Sequence, residues 1–159
     1  MSVAFTKESD AEAVAADLPD RPIPAHPNLV TARGLARIET ELSAARAAYA
    51  AAQAGDQISS DRTAMARATR DLRYWSARRA SAQLVEPRTS ADSISFGHSV
   101  SFERADGRIQ TYAIVGDDEA DPHQGSVSYV SPLARAVMGK TVGDVVTLAG
   151  QDVEIVAIA

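Results

Sequence analysis

The sequence predicts an α+β protein in which an antiparallel two-helix coiled-coil hairpin precedes a β-rich domain containing one short helix. Three observations carry that expectation. Between positions 31 and 82 the apolar residues recur at alternating spacings of three and four, the period of a coiled-coil seam. Beyond Pro87 the pattern changes to strand-like alternation at every second residue. Between two such strand patterns, Ser131 stands where a helix N-cap belongs and Pro132 at the first helical position, where its missing N–H costs nothing.

Composition narrows the class. A chain of 159 residues suits one ordinary domain or two small ones joined by a linker. It has no cysteine, which excludes disulfides, zinc-thiolate sites and a thiol nucleophile. No apolar run approaches the ~18 residues needed to span a bilayer. The opening MSVAFTKESDAEAV lacks the basic-then-apolar order of a secretory signal. A soluble, cytoplasmic protein without membrane contact is expected. The net charge of −5 divides unevenly: −3 over residues 1–28, +4 over 29–84 and −6 over 85–159. So acidic a C-terminal half repels phosphate, and no direct specific nucleic acid contact is expected.

Taken in order, residues 1–28 read as a flexible, acidic, Pro-rich tail, because Pro19, Pro22, Pro24 and Pro27 prevent regular structure and too few apolar residues are present for a core. Residues 29–85 form the helical hairpin. Thr31 caps the first helix, and Leu35, Ile38, Leu42, Ala45, Tyr49 and Ala52 make its seam. That helix runs to Ala54 and stops at Gly55, a length of roughly 36 Å at ~1.5 Å per residue. The second begins near Ser59 or Ser60, with Met65, Ala68, Leu72, Trp75 and Ala82 on its seam and Arg79 interrupting it. Arg62, Arg67, Arg70, Arg73 and Arg78 fall off that line, with their charged heads in water. A connection of about four residues closes such helices antiparallel, seam against seam, so a monomer is expected.

Residues 86–95 read as a linker and 96–159 as the β-rich domain. His98, Val100, Phe102 and then Ile109, Thr111, Ala113 flank Asp106-Gly107, a two-residue β-hairpin signal. The strands on either side of Ala149-Gly150 repeat the arrangement. Leu133, Ala136 and Val137 give the short helix one apolar face, and Gly139 ends it.

No enzymatic constellation is present: no phosphate-cradling Gly-rich loop, no histidines at i and i+4, no Gly-x-Ser-x-Gly elbow. His26, His98 and His123 are scattered and read as surface or structural residues. Asp117, Asp118, Glu119 and Asp121 lack the ligand order of a calcium loop and read as a solvated acidic loop. No catalytic residue, metal site or cofactor of its own is expected.

Ser131-Pro132-Leu133-Ala134-Arg135, then Gly139-Lys140, then Gly143-Asp144-Val146, resembles the C-terminal domain of the bacterial GreA/GreB transcript cleavage and elongation factors. The segment Val115 to Pro122, VGDDEADP, is similar to the stretch that precedes it there, and the resemblance covers about residues 96–158. It implies an FKBP-like fold and RNA polymerase as partner, with the helical hairpin entering the secondary channel. It also implies that Val130, Ser131, Pro132, Leu133 and Arg135 dock on the polymerase, with Val130, Pro132 and Leu133 as exposed apolar contacts. Gly55-Asp56 is similar to the family's finger tip, whose acidic residues help hold a catalytic Mg²⁺ belonging to the polymerase. The second acidic residue of that tip is replaced by Ser59, with Asp61 two residues further on as a partial substitute, and both arms are short. The resemblance therefore implies an elongation regulator with weak or no cleavage stimulation and no independent enzymatic activity. A second reading is a protein-interaction module of the nucleoside diphosphate kinase regulator type, similar in architecture, with a still shorter coiled coil and no cleavage role.

Overall fold

A computed structural model describes residues 18–55 and 58–159, without the side chains of residues 58–61. The chain divides into two compact units, one of residues 1–27 and 38–81, the other of residues 28–37 and 82–159. The long helices are α1 (Ala32–Gln53) and α2 (Ile58–Ser81). None of the described helices is long and apolar enough to cross a membrane.

In the first unit the expected seam is present. Ile38, Leu42 and Ala45 of α1 and Ala68 and Trp75 of α2 are buried, while Tyr49, Ala52, Met65 and Leu72 are half-buried. Arg79 Nε meets Glu39 Oε1 at 3.0 Å, which sets the start of α1 beside the end of α2 and makes the pair antiparallel. One expectation fails here. Arg78, placed in water by its distance from the seam, is among the most buried side chains at 1% exposure, while Arg79, assigned to the seam, is exposed. The buried line steps three residues from Trp75, to Arg78, where four had been expected; both steps keep to one helix face.

The Pro-rich stretch before α1 has no regular structure, as its prolines require, yet residues 20 and 21 are held on α2. Asp20 Oδ1 pairs with Arg73 Nη1 at 3.2 Å and Arg21 Nη1 with Asp71 Oδ1 at 3.5 Å. The Arg21 guanidinium also lies 3.8 Å from the centre of the Tyr74 ring, a cation–π contact. Of the tail expected over residues 1–28, these two are thus held in place, and residues 1–17 lie outside the described residues.

The second unit holds two sheets. β1 (Leu29–Val30) and β2 (Gln83–Leu84) form a parallel two-residue ladder, extended by Gln83 N–H to the Asn28 carbonyl at 2.8 Å and Val85 N–H to the Val30 carbonyl at 2.9 Å. The larger sheet contains β3 (Ser99–Glu103), β4 (Ile109–Val115), β5 (Ser126–Ser128), β6 (Val145–Leu148) and β7 (Gln151–Ile158), in spatial order 5-4-3-7-6. Within this sheet, among the described residues, only β4 and β5 pair in parallel. The helix α3 (Pro132–Val137) covers one face, and Phe102, Ile114, Ile155, Val100 and Val153 form the core with its Ala134 and Val137.

The two β-hairpins differ. At Ala149-Gly150 both residues take positive φ, 51° and 78°, and Leu148 pairs directly with Gln151, the expected two-residue turn. At Asp106-Gly107 only Gly107 does, at φ 81°. There the Gly107 N–H bonds the Arg104 carbonyl and the Arg104 N–H bonds the Arg108 carbonyl, both at 2.9 Å, so residues 104–108 form a longer loop. Its extra residue shifts the pairing by one position, setting Phe102 opposite Gln110 and Val100 opposite Tyr112. A one-residue shift exchanges the faces of a strand. Tyr112 and Ile114 therefore face the core, and Ile109 and Thr111 face solvent, the reverse of the simple alternation.

The stretch 86–95, expected as a linker, is packed into the second unit. Ile94 is buried in the core, and its N–H bonds the Lys140 carbonyl at 2.9 Å. His98, buried at 2% exposure, holds the rest. Its Nδ1 accepts from the Ser95 N–H at 3.2 Å, which leaves Nε2 to donate to the Arg88 carbonyl at 2.9 Å. This histidine is structural.

Candidate functional site

The Ser131 turn is built by the end of the sheet. β5 pairs with β4, and the Tyr129 N–H bonds the Val115 carbonyl at 2.9 Å, carrying the parallel pairing one residue past the strand. Tyr129 packs edge-on against Phe96 with ring centres 5.6 Å apart, which fixes the turn from below. The Ser131 N–H then bonds the Ser128 carbonyl at 2.9 Å. Ser131 sits at φ −63°, ψ 155°, and its Oγ accepts from the Ala134 N–H at 3.2 Å, the N-cap that its position in the sequence implies.

Of the five residues expected to dock, Pro132 and Arg135 are exposed and Val130 and Ser131 half-exposed. Leu133 differs from expectation: it packs against the core cluster through its half-buried side chain. Because α3 must bury Ala134 and Val137, Leu133 is drawn to the margin of the same face. The surface left on display is Pro132 and Arg135 with the edge of Val130.

The acidic loop before β5 is not a solvated cluster. Asp117 Oδ1 accepts from Ser128 Oγ at 2.5 Å. Asp121 Oδ1 caps a single 3₁₀ turn (Pro122–Gln124) by accepting from the His123 N–H at 3.1 Å. Glu119 Oε2 accepts from Thr31 Oγ1 at 2.6 Å, while the same Thr31 oxygen accepts from the Gly34 N–H at 3.0 Å as the cap of α1. A carboxylate at the first turn of a helix is also favoured by the helix dipole. Two glycines make room for this joint. A Cβ on Gly34 would stand 2.7 Å from Glu119 Oε2, and one on Gly116 would stand 2.2 Å from the Leu29 carbonyl oxygen. Among the described residues no group of three or more His, Asp or Glu could hold a metal ion.

Of the tip residues, Gly55 follows the last turn of α1 and Asp61 lies in the first turns of α2. Asp56 and the side chain of Asp61 lie outside the described residues.

Residues 89–159 match the family model described as the C-terminal domain of transcription elongation factor GreA/GreB. Through that segment, somewhat less than half of the chain, the protein is similar to the GreA/GreB C-terminal domain. The relatives agree. Transcription elongation factor GreA of Desulfovibrio desulfuricans is 39% identical over 97 residues, 60% of this chain and 59% of the relative. GreA of Geobacillus kaustophilus is 46% identical over 66 residues, 41% of this chain and 42% of the relative. GreB of Neisseria meningitidis serogroup A is 42% identical over 81 residues, half of each chain. The chain spans about half the length of the curated relatives it matches. Among solved structures, the GreA factor homolog 1 (Gfh1) protein of Thermus thermophilus overlaps 84% of this chain and 99% of its own at 21% identity and TM-score 0.40, too loosely to argue from. The matched segment contains both the Ser131 turn and the acidic loop. Sequence reasoning found the turn through its Ser-Pro signal. It missed the joint between Glu119, Thr31 and Gly34, whose members stand 88 positions apart and announce themselves only as a helix cap and an acidic residue.

Proposed function

We propose that this chain is an RNA polymerase-binding transcription elongation regulator, its coiled-coil finger entering the secondary channel while the C-terminal domain holds it at the entrance. The match of residues 89–159 to the GreA/GreB C-terminal domain is the observation that carries this reading. The exposed Pro132 and Arg135 at the start of α3 supply a docking edge. The seam of α1 and α2 supplies a stiff finger.

The finger acts by occupying the channel, with weak or no stimulation of transcript cleavage. Cleavage requires carboxylates delivered beside a metal, where they bind the ion and orient its water. Ser59 stands where the tip's second acidic residue is expected, and α1 at 22 residues reaches only ~33 Å. The chain has no activity and no cofactor of its own in this reading; any Mg²⁺ belongs to the polymerase.

Two experiments test it. Immobilised wild-type protein is expected to retain core polymerase, and Pro132→Glu to lose it while keeping the wild-type Tm. No retention by the wild type would favour an interaction module with another partner. On stalled elongation complexes, the purified protein is expected to change pausing without shortening the transcript. Shortening that disappears with Asp56→Ala would refute the regulatory version.

A further inference from the structure

One row of residues runs across four strands of the larger sheet. Ile109 on β4 pairs with Glu103 on β3, Glu103 with Glu154 on β7, and Glu154 with Val145 on β6. Directly paired residues share a face, and this is the face opposite the core, since the neighbours Phe102 and Ile155 point inward. Ile109 and Val145 are 63% and 61% exposed, the most exposed large apolar side chains among the described residues. Between them the two glutamates stand opposite each other, an arrangement that destabilises a sheet. Neither carboxylate accepts a hydrogen bond or forms an ion pair among the described residues. Arg104, next in the chain to Glu103, directs its guanidinium to Gln110 at 2.7 Å and Gln151 at 3.4 Å and lies over the Phe102 ring. A shallow hollow of about 320 Å³ opens at the row, lined by Glu103, Glu154, Val145 and Asp152, with Arg104, whose guanidinium is engaged by the two glutamines, also on its wall. Asp152 already accepts from Thr147 Oγ1 at 2.7 Å.

Solubility alone would be served by pairing each glutamate with a cross-strand lysine, and by polar residues at both ends of the row. The row instead places two carboxylates without an ion pair between two exposed apolar side chains. We infer that it is a second attachment surface for RNA polymerase, taking a protein segment with one or two Lys or Arg side chains flanked by apolar ones. The inference rests on the reading that the chain binds polymerase. Nucleic acid is not the occupant, because its phosphates would meet the glutamates. At ~4.8 Å per strand the row is roughly 14 Å long, which suits two to three turns of an amphipathic helix at ~5.4 Å each.

Position gives this surface its purpose. The row crosses β4 at Ile109, while the Ser131 turn is fed from its other end at Val115, roughly 20 Å away at ~3.3 Å per residue. A rigid sheet held at one small patch can swivel about it. Two patches so far apart fix its orientation as well as its position.

The test is equilibrium binding of the full chain to immobilised core RNA polymerase across a range of salt concentrations. Glu103→Lys/Glu154→Lys is expected to weaken binding at low salt at least tenfold. Glu103→Gln/Glu154→Gln is expected to flatten the salt dependence while its Tm stays the same or rises, because a repulsion is removed. Ile109→Ser/Val145→Ser is expected to weaken binding severalfold without changing the salt slope. If wild type binds, Pro132→Glu abolishes binding, and the lysine variant binds with unchanged affinity and salt slope, the second surface is refuted and the proposed function stands. If wild type does not bind, both fall.

Discussion

α1 and α3 begin in the same way and end up doing different work. Each opens with a hydroxyl side chain accepting a backbone N–H three residues on, Thr31 from Gly34 at 3.0 Å and Ser131 from Ala134 at 3.2 Å. The difference is what meets that hydroxyl from outside. Thr31 donates its proton to Glu119, so the cap of α1 is closed into a joint with the acidic loop. Beside Ser131 stand Pro132 and Arg135, both exposed, and the cap of α3 is left at an edge. An identical local motif becomes a closed joint or a displayed corner according to the partner that tertiary structure brings to it.

The joint should be the more costly of the two to disturb. The largest effect is expected from Gly116→Ala, whose Cβ would stand 2.2 Å from a backbone oxygen that has no rotamer with which to yield. A loss of about 3 kcal/mol in chemical denaturation is expected, and a loss below ~0.5 kcal/mol would show that the Leu29 strand moves freely. Next come Glu119→Ala at about 2 kcal/mol and Thr31→Ala at about 1 to 2 kcal/mol. Their double mutant should lose less than the sum, with a coupling of about 1 kcal/mol; additive effects would break the comparison by making the two caps equivalent. Ser131→Ala should cost about 1 kcal/mol and show no coupling to the acidic loop. The smallest effect concerns Asp106, a carboxylate closing a single turn in open solvent. Its pKa is held below the ordinary carboxylate range, first by the hydrogen bond from the Arg108 N–H and then by the Arg108 side chain. A depressed folded pKa means that the contribution is complete above the unfolded value and lost as pH falls through the folded one. A titration of the Asp106 carboxyl resonance should therefore show loosening of residues 104–108 only in strong acid.

Much of this architecture was legible because it rests on periodicity. The seam from Ile38 to Ala45, the Thr31 and Ser131 caps and the Ala149-Gly150 turn depend on short-range patterns that local sequence displays. Three features escaped, each for its own reason. The ladder of β1 and β2 is two residues long on each side, below the length at which alternation can be recognised. Arg78 is buried although its own side chain argues for water, since a helix position is buried by its neighbours. The register of β3 and β4 turned on whether Asp106 joins Gly107 in taking positive φ or Gly107 does so alone, and composition does not separate these. For the site, the Ser-Pro signal located Pro132 and Arg135, but which of Val130 and Leu133 faces outward was decided by the core under α3.

That odd-numbered loop at residues 104–108 has a consequence for how the protein can vary. A one-residue slip of β4 against β3 would send Tyr112 and Ile114 into water and Ile109 into the interior, so the core side chains hold this register. A residue inserted at the exposed tip can be absorbed by a wider loop with both strands left in place, and natural variants of the chain should change in length there more readily than inside β3 or β4.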